Sequence, residues 1–162
     1  MTTKSNLTVN SSPKNRRKEM KQYTFRKPEH LCLKSEIEAL FSSGCKSMSV
    51  FPLRVTFRRF AYTGQGPQVK VLLSVSKRHF KHAVDRNRAK RQLREAYRHL
   101  KPAFHASLPD DVALHIAFIW LSDRPVRTDL VATRMQTALQ RISEKVMQQL
   151  PSWYANSYPV CL

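Results

Sequence analysis

Six histidines are scattered through this 162-residue chain. Two neighbouring pairs, His79 with His82 and His99 with His105, suggest the general acid–base chemistry that cleaves RNA. In a chain with 29 Lys and Arg against 11 Asp and Glu, such neighbours are unsurprising and carry little weight. A two-metal nuclease needs converging carboxylates. Glu36 and Glu38 point apart on a helix, and Asp110 and Asp111 fall in a loop. The three cysteines, Cys32, Cys45 and Cys161, lack metal-ligand spacing, and their odd number argues against a disulfide framework and for a reducing compartment. No group here reads as catalytic by itself, and no metal or cofactor is expected on the protein.

The residue type that does recur is the cation. The stretch DRNRAKRQLREAYRHLK, residues 85–101, crowds five Arg, two Lys and one Asn into four or five helical turns. Like charge at this density lowers helix stability unless something supplies negative charge. At about 100° per residue, Ala89, Leu93, Ala96, Tyr97 and Leu100 share an arc wide enough to pack on a sheet. Asn87, Lys90, Arg91, Arg94, Arg98 and Lys101 share the adjacent arc, with Arg88 and Glu95 further round. Asp85 is the expected N-cap, its charge complementing the helix dipole. Charge runs on helices are usually solvated faces. Between Arg86 and Lys101, however, Glu95 is the one carboxylate, and Arg outnumbers Lys, which suits planar bidentate contact with phosphate. The formal net charge of +18 points the same way, to a polyanionic partner.

The elements that must carry this helix follow from periodicity. With 41% hydrophobic residues the chain can bury a core. Residues 1–22 are polar, without a secretory pattern, and are expected to be disordered; an ordered domain over 23–150 and a C-terminal tail over 151–162 follow. Ser35 is the expected cap of a first helix over 36–42, with Glu38 completing a capping box, Ile37, Leu40 and Phe41 on one face, and Gly44 ending it. FPLRVTFRRF at 51–60 alternates Phe51, Leu53, Val55 and Phe57 with Pro52, Arg54, Thr56 and Arg58, a strand with one buried and one basic face. TGQGP at 63–67 is expected to close a hairpin into QVKVLLSVSK. Pro102 should end the basic helix. VALHIAFIWL at 112–121 is too short to span a bilayer and reads as a buried strand. A last helix should run from Thr128 to Leu150, capped by Thr128 or Asp129, with Leu130, Val131, Met135, Ala138, Leu139, Ile142, Val146 and Leu150 at helical spacing. The reading is a single α/β sandwich in the cytoplasm, with no membrane contact.

The run SVSKRHFKHAVDRNRAKRQLRE, Ser74–Glu95, resembles the protein component of bacterial ribonuclease P. Arg86, Asn87, Arg88, Lys90, Arg91, Arg94 and Glu95 fall on positions of that family's strand–loop–helix motif. FRKPEHLCLKSEIEALFSSG at 25–44 is similar to its first helix, and the resemblance extends over about 25–150. Two features depart from it: His30 stands where an Arg is usual, and the loop reads RHFKHAV. The resemblance implies an αβββαβα two-layer sandwich with one mixed four-stranded sheet and a left-handed βαβ crossover, against the general rule for such connections. It implies a non-catalytic subunit of an endoribonuclease in which ribonuclease P RNA carries the chemistry and the Mg²⁺. That RNA would contact Arg86, Asn87, Arg88, Lys90, Arg91, Arg94 and Arg98, with Lys77 and Arg78 extending the patch. The 5′ leader of precursor tRNA would lie in a cleft formed by Phe41, Arg54, Thr56 and Arg58. A ribosomal or other structured-RNA-binding protein is the alternative.

Overall fold

The computed structural model describes residues 23–148; the expectations for both tails and for Leu150 lie outside them. A 3-10 turn at Lys27–Glu29 precedes α1 (Lys34–Phe41), then β1 (Lys46–Val50), β2 (Leu53–Ala61), β3 (Val69–Ser74), α2 (Ala83–Ala106), β4 (Val112–Trp120) and α3 (Thr128–Met147). The strands form one mixed sheet in the order β1-β2-β4-β3, antiparallel at β1/β2 and β2/β4 and parallel at β3/β4. The fold is α+β, as expected.

The alternation of β2 and β4 separates two cores. Leu53, Val55 and Phe57 join Val112, Leu114, Ile116, Phe118 and Trp120 beneath α2 and α3. On the opposite face Leu31, Leu40 and Ala117 form a smaller cluster under α1. Helix α2 lies over β3, and α3 over β1 and β2. Tyr97, fully buried, ties α2 to the sheet through Phe118 and to the N-terminal segment through Phe25, whose ring meets it edge-on at 5.2 Å.

Several local expectations are corrected. The Gly-rich turn does not close a β2–β3 hairpin, because β4 inserts between the two strands; the hairpin is β1–β2, turning at Phe51–Pro52. Phe51 sits in that turn, 64% exposed, and so leaves the buried face assigned to it. Helix α1 starts at Lys34, with Leu33 as N-cap, so Ser35 lies inside the first turn. Helix α2 starts at Ala83 after His82, so Asp85 sits in the first turn, where its charge still meets the dipole. Helix α3 begins at Thr128 with Arg127 as N-cap, and Asp129 Oδ1 accepts from the Leu130 amide at 2.9 Å. Pro102 does not stop α2. A mid-helix proline costs a backbone hydrogen bond, but Phe104 is buried beyond it, and Ser107 Oγ donates to Phe104 O at 2.7 Å to close the last turn.

Candidate nucleic-acid interface

The cations of α2 divide into two sets according to what folds against them. Asn87, Arg88, Arg91 and Arg94 are exposed and Lys90 is half-buried, and none makes a hydrogen bond or ion pair among the described residues. Lys77 and Arg78 are exposed in the loop that leads into the same end of the helix. The turn there is held by Ser76, whose carbonyl accepts from the His79 amide and whose Oγ accepts from the Arg78 amide at 3.1 Å. His79 Nδ1 lies 2.6 Å from Asp123 Oδ1, fastening this loop to the one before α3. The structure therefore leaves the side chains of Lys77, Arg78, Asn87, Arg88, Lys90, Arg91 and Arg94 without protein partners among the described residues along this loop and helix, Arg88 lying on the Gln92 side of α2.

Arg86 and Arg98, expected on this surface, are otherwise engaged. The Arg86 guanidinium turns back to donate to the carbonyls of Phe80 at 2.9 Å and Lys81 at 2.6 Å, completing the loop before the helix. Arg98 pairs with Glu95 and donates to Tyr23 O at 3.0 Å. That pairing holds the Glu95 carboxyl below its usual range. Lys101, also placed on the cationic arc, is bonded to Glu29 and to Thr24 O. The face is thus interrupted, and the segment Tyr23–His30 straps its C-terminal half. Within the strap, His30 lies 3.9 Å from the Phe25 ring, and burial, then Arg94, push its imidazole pKa down against an opposing pull from Glu29.

On the far side of the sheet the second expected cluster is partly assembled. Phe41, at the end of α1, is 47% exposed. Arg54 is exposed and its Nε donates to Ser47 Oγ at 3.1 Å. Arg58 Nη1 donates to Ala39 O and Ser42 Oγ, both at 2.6 Å, so it caps the C-terminus of α1 while its guanidinium lies 5.5 Å from the Phe60 ring centre. Thr56 is corrected: at 3% exposure it is buried beneath α1 and offers nothing to a ligand. The sequence reading missed Phe60 and His115, whose ring centres lie 4.4 Å apart at a 50° tilt beside Arg58. Residue parity along β2 puts Phe60 on the Arg54/Arg58 face and could have found it. Burial lowers the His115 pKa, and its Nδ1 has no partner among the described residues. Lys70 of β3 reaches Glu36 of α1, the contact that pins the helix over this face.

The histidine pairs weighed for acid–base work are engaged separately. His79 meets Asp123, His99 meets Glu95 at 2.8 Å, and His105 is half-buried with Nε2 unpartnered among the described residues. No helix among the described residues is long and apolar enough to cross a membrane.

A family model for ribonuclease P matches residues 25–145. A ribonuclease P protein component of Porphyromonas gingivalis is 39% identical over 126 residues, covering 74% of this chain and 87% of that protein. One from Chlorobium phaeobacteroides is 42% identical over 80 residues, covering 48% and 54%. The solved structure of the RNase P protein from Thermotoga maritima aligns with a TM-score of 0.42 at 22% identity, covering 75% of this chain and 94% of that one. The family model covers most of the strap, both cationic surfaces, α1, α2 and all but the last two residues of α3, which sets aside the ribosomal alternative: this chain belongs to the ribonuclease P protein family.

Proposed function

We propose that this chain is the RNA-binding subunit of a cytoplasmic ribonuclease P, assisting removal of the 5′ leader from precursor tRNA while the catalytic RNA and its Mg²⁺ carry the chemistry. The observation that supports this most directly is the unpartnered set Asn87, Arg88, Lys90, Arg91 and Arg94, in a helix whose remaining cations find protein partners. Guanidinium groups left free in a cluster have their favourable state against phosphate, where bidentate contact and counterion release both contribute. Docking a precursor tRNA on a catalytic RNA opposes two polyanions, and a +18 protein at their junction offsets that repulsion. Leaders vary in sequence, so their recognition calls for stacking surfaces and a basic groove rather than base-edge contacts. Phe41, Arg54 and the Arg58–Phe60 pair, flanking the partly covered sheet face, have that character.

Reconstitution with the catalytic RNA tests the reading. At limiting Mg²⁺ the wild-type protein should restore cleavage of precursor tRNA; a preparation that binds no such RNA and stimulates nothing would sink it. Lys90→Ala/Arg91→Ala/Arg94→Ala should leave the melting temperature unchanged, weaken binding, and reduce the slope of log affinity on log salt by about 2–3, at roughly 0.7–0.9 per phosphate contact. Phe41→Ala should impair leader-bearing substrate more than mature tRNA.

A further inference from the structure

Three cations outside both surfaces already described lie on α3. Arg134, Arg141 and Lys145 recur at intervals of seven and four residues, which places them in one row along the helix. At 1.5 Å per residue, successive members stand about 10.5 Å and about 6 Å apart. Those separations are comparable to the Debye length of roughly 8 Å at physiological ionic strength, so the potentials of neighbouring members reinforce one another. Arg134 and Arg141 are exposed and Lys145 is half-buried, and none has a hydrogen bond or ion pair among the described residues. The carboxylates of this helix do not compensate them. Asp129 is taken by Arg127, at 2.8 Å, and Glu144 accepts from Gln140 at 3.3 Å. Lys46 is exposed on edge strand β1, on the side where Met48 and Val50 meet the core under α3, and adds to the same flank.

The position of this row relative to α2 gives it meaning. Helix α3 meets the side of α2 that carries Gln92, which donates to Val126 O and Thr128 Oγ1, both at 3.0 Å. Further along, Leu100, Ala103 and Ser107 of α2 face Gln136, Gln140 and Ser143 of α3 across a groove without a charged residue. On the helical wheel, the Lys90/Arg91/Arg94 set of α2 and the Arg134/Arg141/Lys145 row of α3 each lie roughly half a turn from that groove. The helical layer thus carries a cationic row on each outer flank and an uncharged groove between them, with Arg88 beside Gln92 and Pro125 at the end where α3 begins.

We propose that the α3 row is a second, separate phosphate-binding surface, so that the protein bridges two RNA backbones, one on each flank of the helical layer. The partner is RNA because the row is Arg-rich and uncompensated, and Leu130, four residues before Arg134, is the one exposed large hydrophobic beside it among the described residues, too little for the aromatic-rich centre of a protein interface. The inference rests on the RNA-binding reading above and extends it to a face that reading does not use.

The test compares full-length wild type, Arg134→Gln/Arg141→Gln/Lys145→Gln, and the α2 triple variant on the same ribonuclease P RNA. Backbone footprinting and salt-dependent affinity are measured with and without bound precursor tRNA. Glutamine keeps helix propensity and the substituted positions lie outside the core, so circular dichroism and melting temperature should match wild type. The expected result is a salt slope reduced by about 2 from loss of the α3 row. It should come with loss of protection at nucleotides, in either RNA, different from those lost with the α2 variant. An α3 variant with unchanged slope and footprint, beside a weakened α2 variant, overturns the inference and leaves the proposed function standing; a partner of another class, such as an acidic protein, would give this result. Loss of the same nucleotides by both variants also overturns it, since the protein would then have one surface and not two. Wild-type protein that fails to bind the RNA at all refutes the parent reading instead.

Discussion

The two halves of α2 carry nearly the same pattern and meet opposite fates. In the N-terminal half, Lys90, Arg91 and Arg94 stand free. In the C-terminal half, Arg98 and Lys101 occupy the same arc but are held by Glu95, Glu29 and the carbonyls of Tyr23 and Thr24. Helix periodicity fixes which way a side chain points; it says nothing about whether a distant segment folds over it. The strap Tyr23–His30 converts half of a cationic ridge into structural contacts and leaves the other half without protein partners among the described residues. A count of basic residues on one helical face therefore overstates the binding surface, and the excess is what anchors the N-terminal segment.

The sharpest way to break this comparison is Lys101→Met. Lys101 and Glu29 side chains are only 14% and 15% exposed, so removing the cation strands a mostly buried carboxylate. A loss of about 3 kcal/mol in urea denaturation is expected, at the low end of what breaking a buried pair costs. The salt dependence of RNA binding should not change in protein that remains folded. A smaller salt slope with unaltered stability would make the strapped half an RNA surface after all.

Next in size is Arg86→Ala against Arg88→Ala, two neighbours in the sequence motif. Arg86 satisfies two loop carbonyls, and deleting it should cost about 1.5–3 kcal/mol, the usual range for hydrogen bonds from a charged donor. Arg88→Ala should lie within about 0.5 kcal/mol of wild type while lowering the salt slope by roughly 0.7–0.9. Identical behaviour of the two variants would erase the distinction between the arginine that builds the loop and the one that meets RNA.

Much of this was legible beforehand, and the failures share a cause. The strand alternation in VALHIAFIWL, the apolar spacing of α3 and the Ala89–Leu93–Ala96–Tyr97 face are set by local periods, and the core uses them as read except for Leu130, which stays 40% exposed in the first turn of α3. Arg86 was legible too: seven residues before Leu93 and eleven before Tyr97, it belongs to the inward face, where a long polar side chain must find carbonyls. What was hidden depended on sequence-distant pairing. The supposed hairpin at Gly64–Gly66 was undone by β4, which begins 46 residues after Gly66 at Val112 and takes the place between β2 and β3. Thr56 was buried by α1, and Pro102 was tolerated because Phe104 has a core to enter. No local rule contains that information.

The smallest effect separates the halves by pH. Two imidazoles border the strap, His30 and His105. Burial lowers both pKa values, with Arg94 adding to the effect at His30 and Lys101 at His105, while Glu29 opposes it at each. Because the folded forms resist protonation, the unfolded chain binds more protons once the pH falls below the ordinary imidazole value of about 6.5. The stability these groups contribute is complete above that value and is lost as pH falls from it toward the folded pKa. Glu95, held low first by Arg98, and Asp129, held low first by the Leu130 amide, act in the same sense but in a lower window, below the ordinary carboxylate values near 4. Between pH 7.5 and 5.5 the histidines therefore dominate, and the urea midpoint should fall on acidification. In His30→Gln/His105→Gln it should fall less, the remainder belonging to His115, whose pKa burial also lowers. A double variant as steep as wild type would move the acid sensitivity away from the strap, and with it the claim that the strapped half of α2 is held by the protein's own interior chemistry.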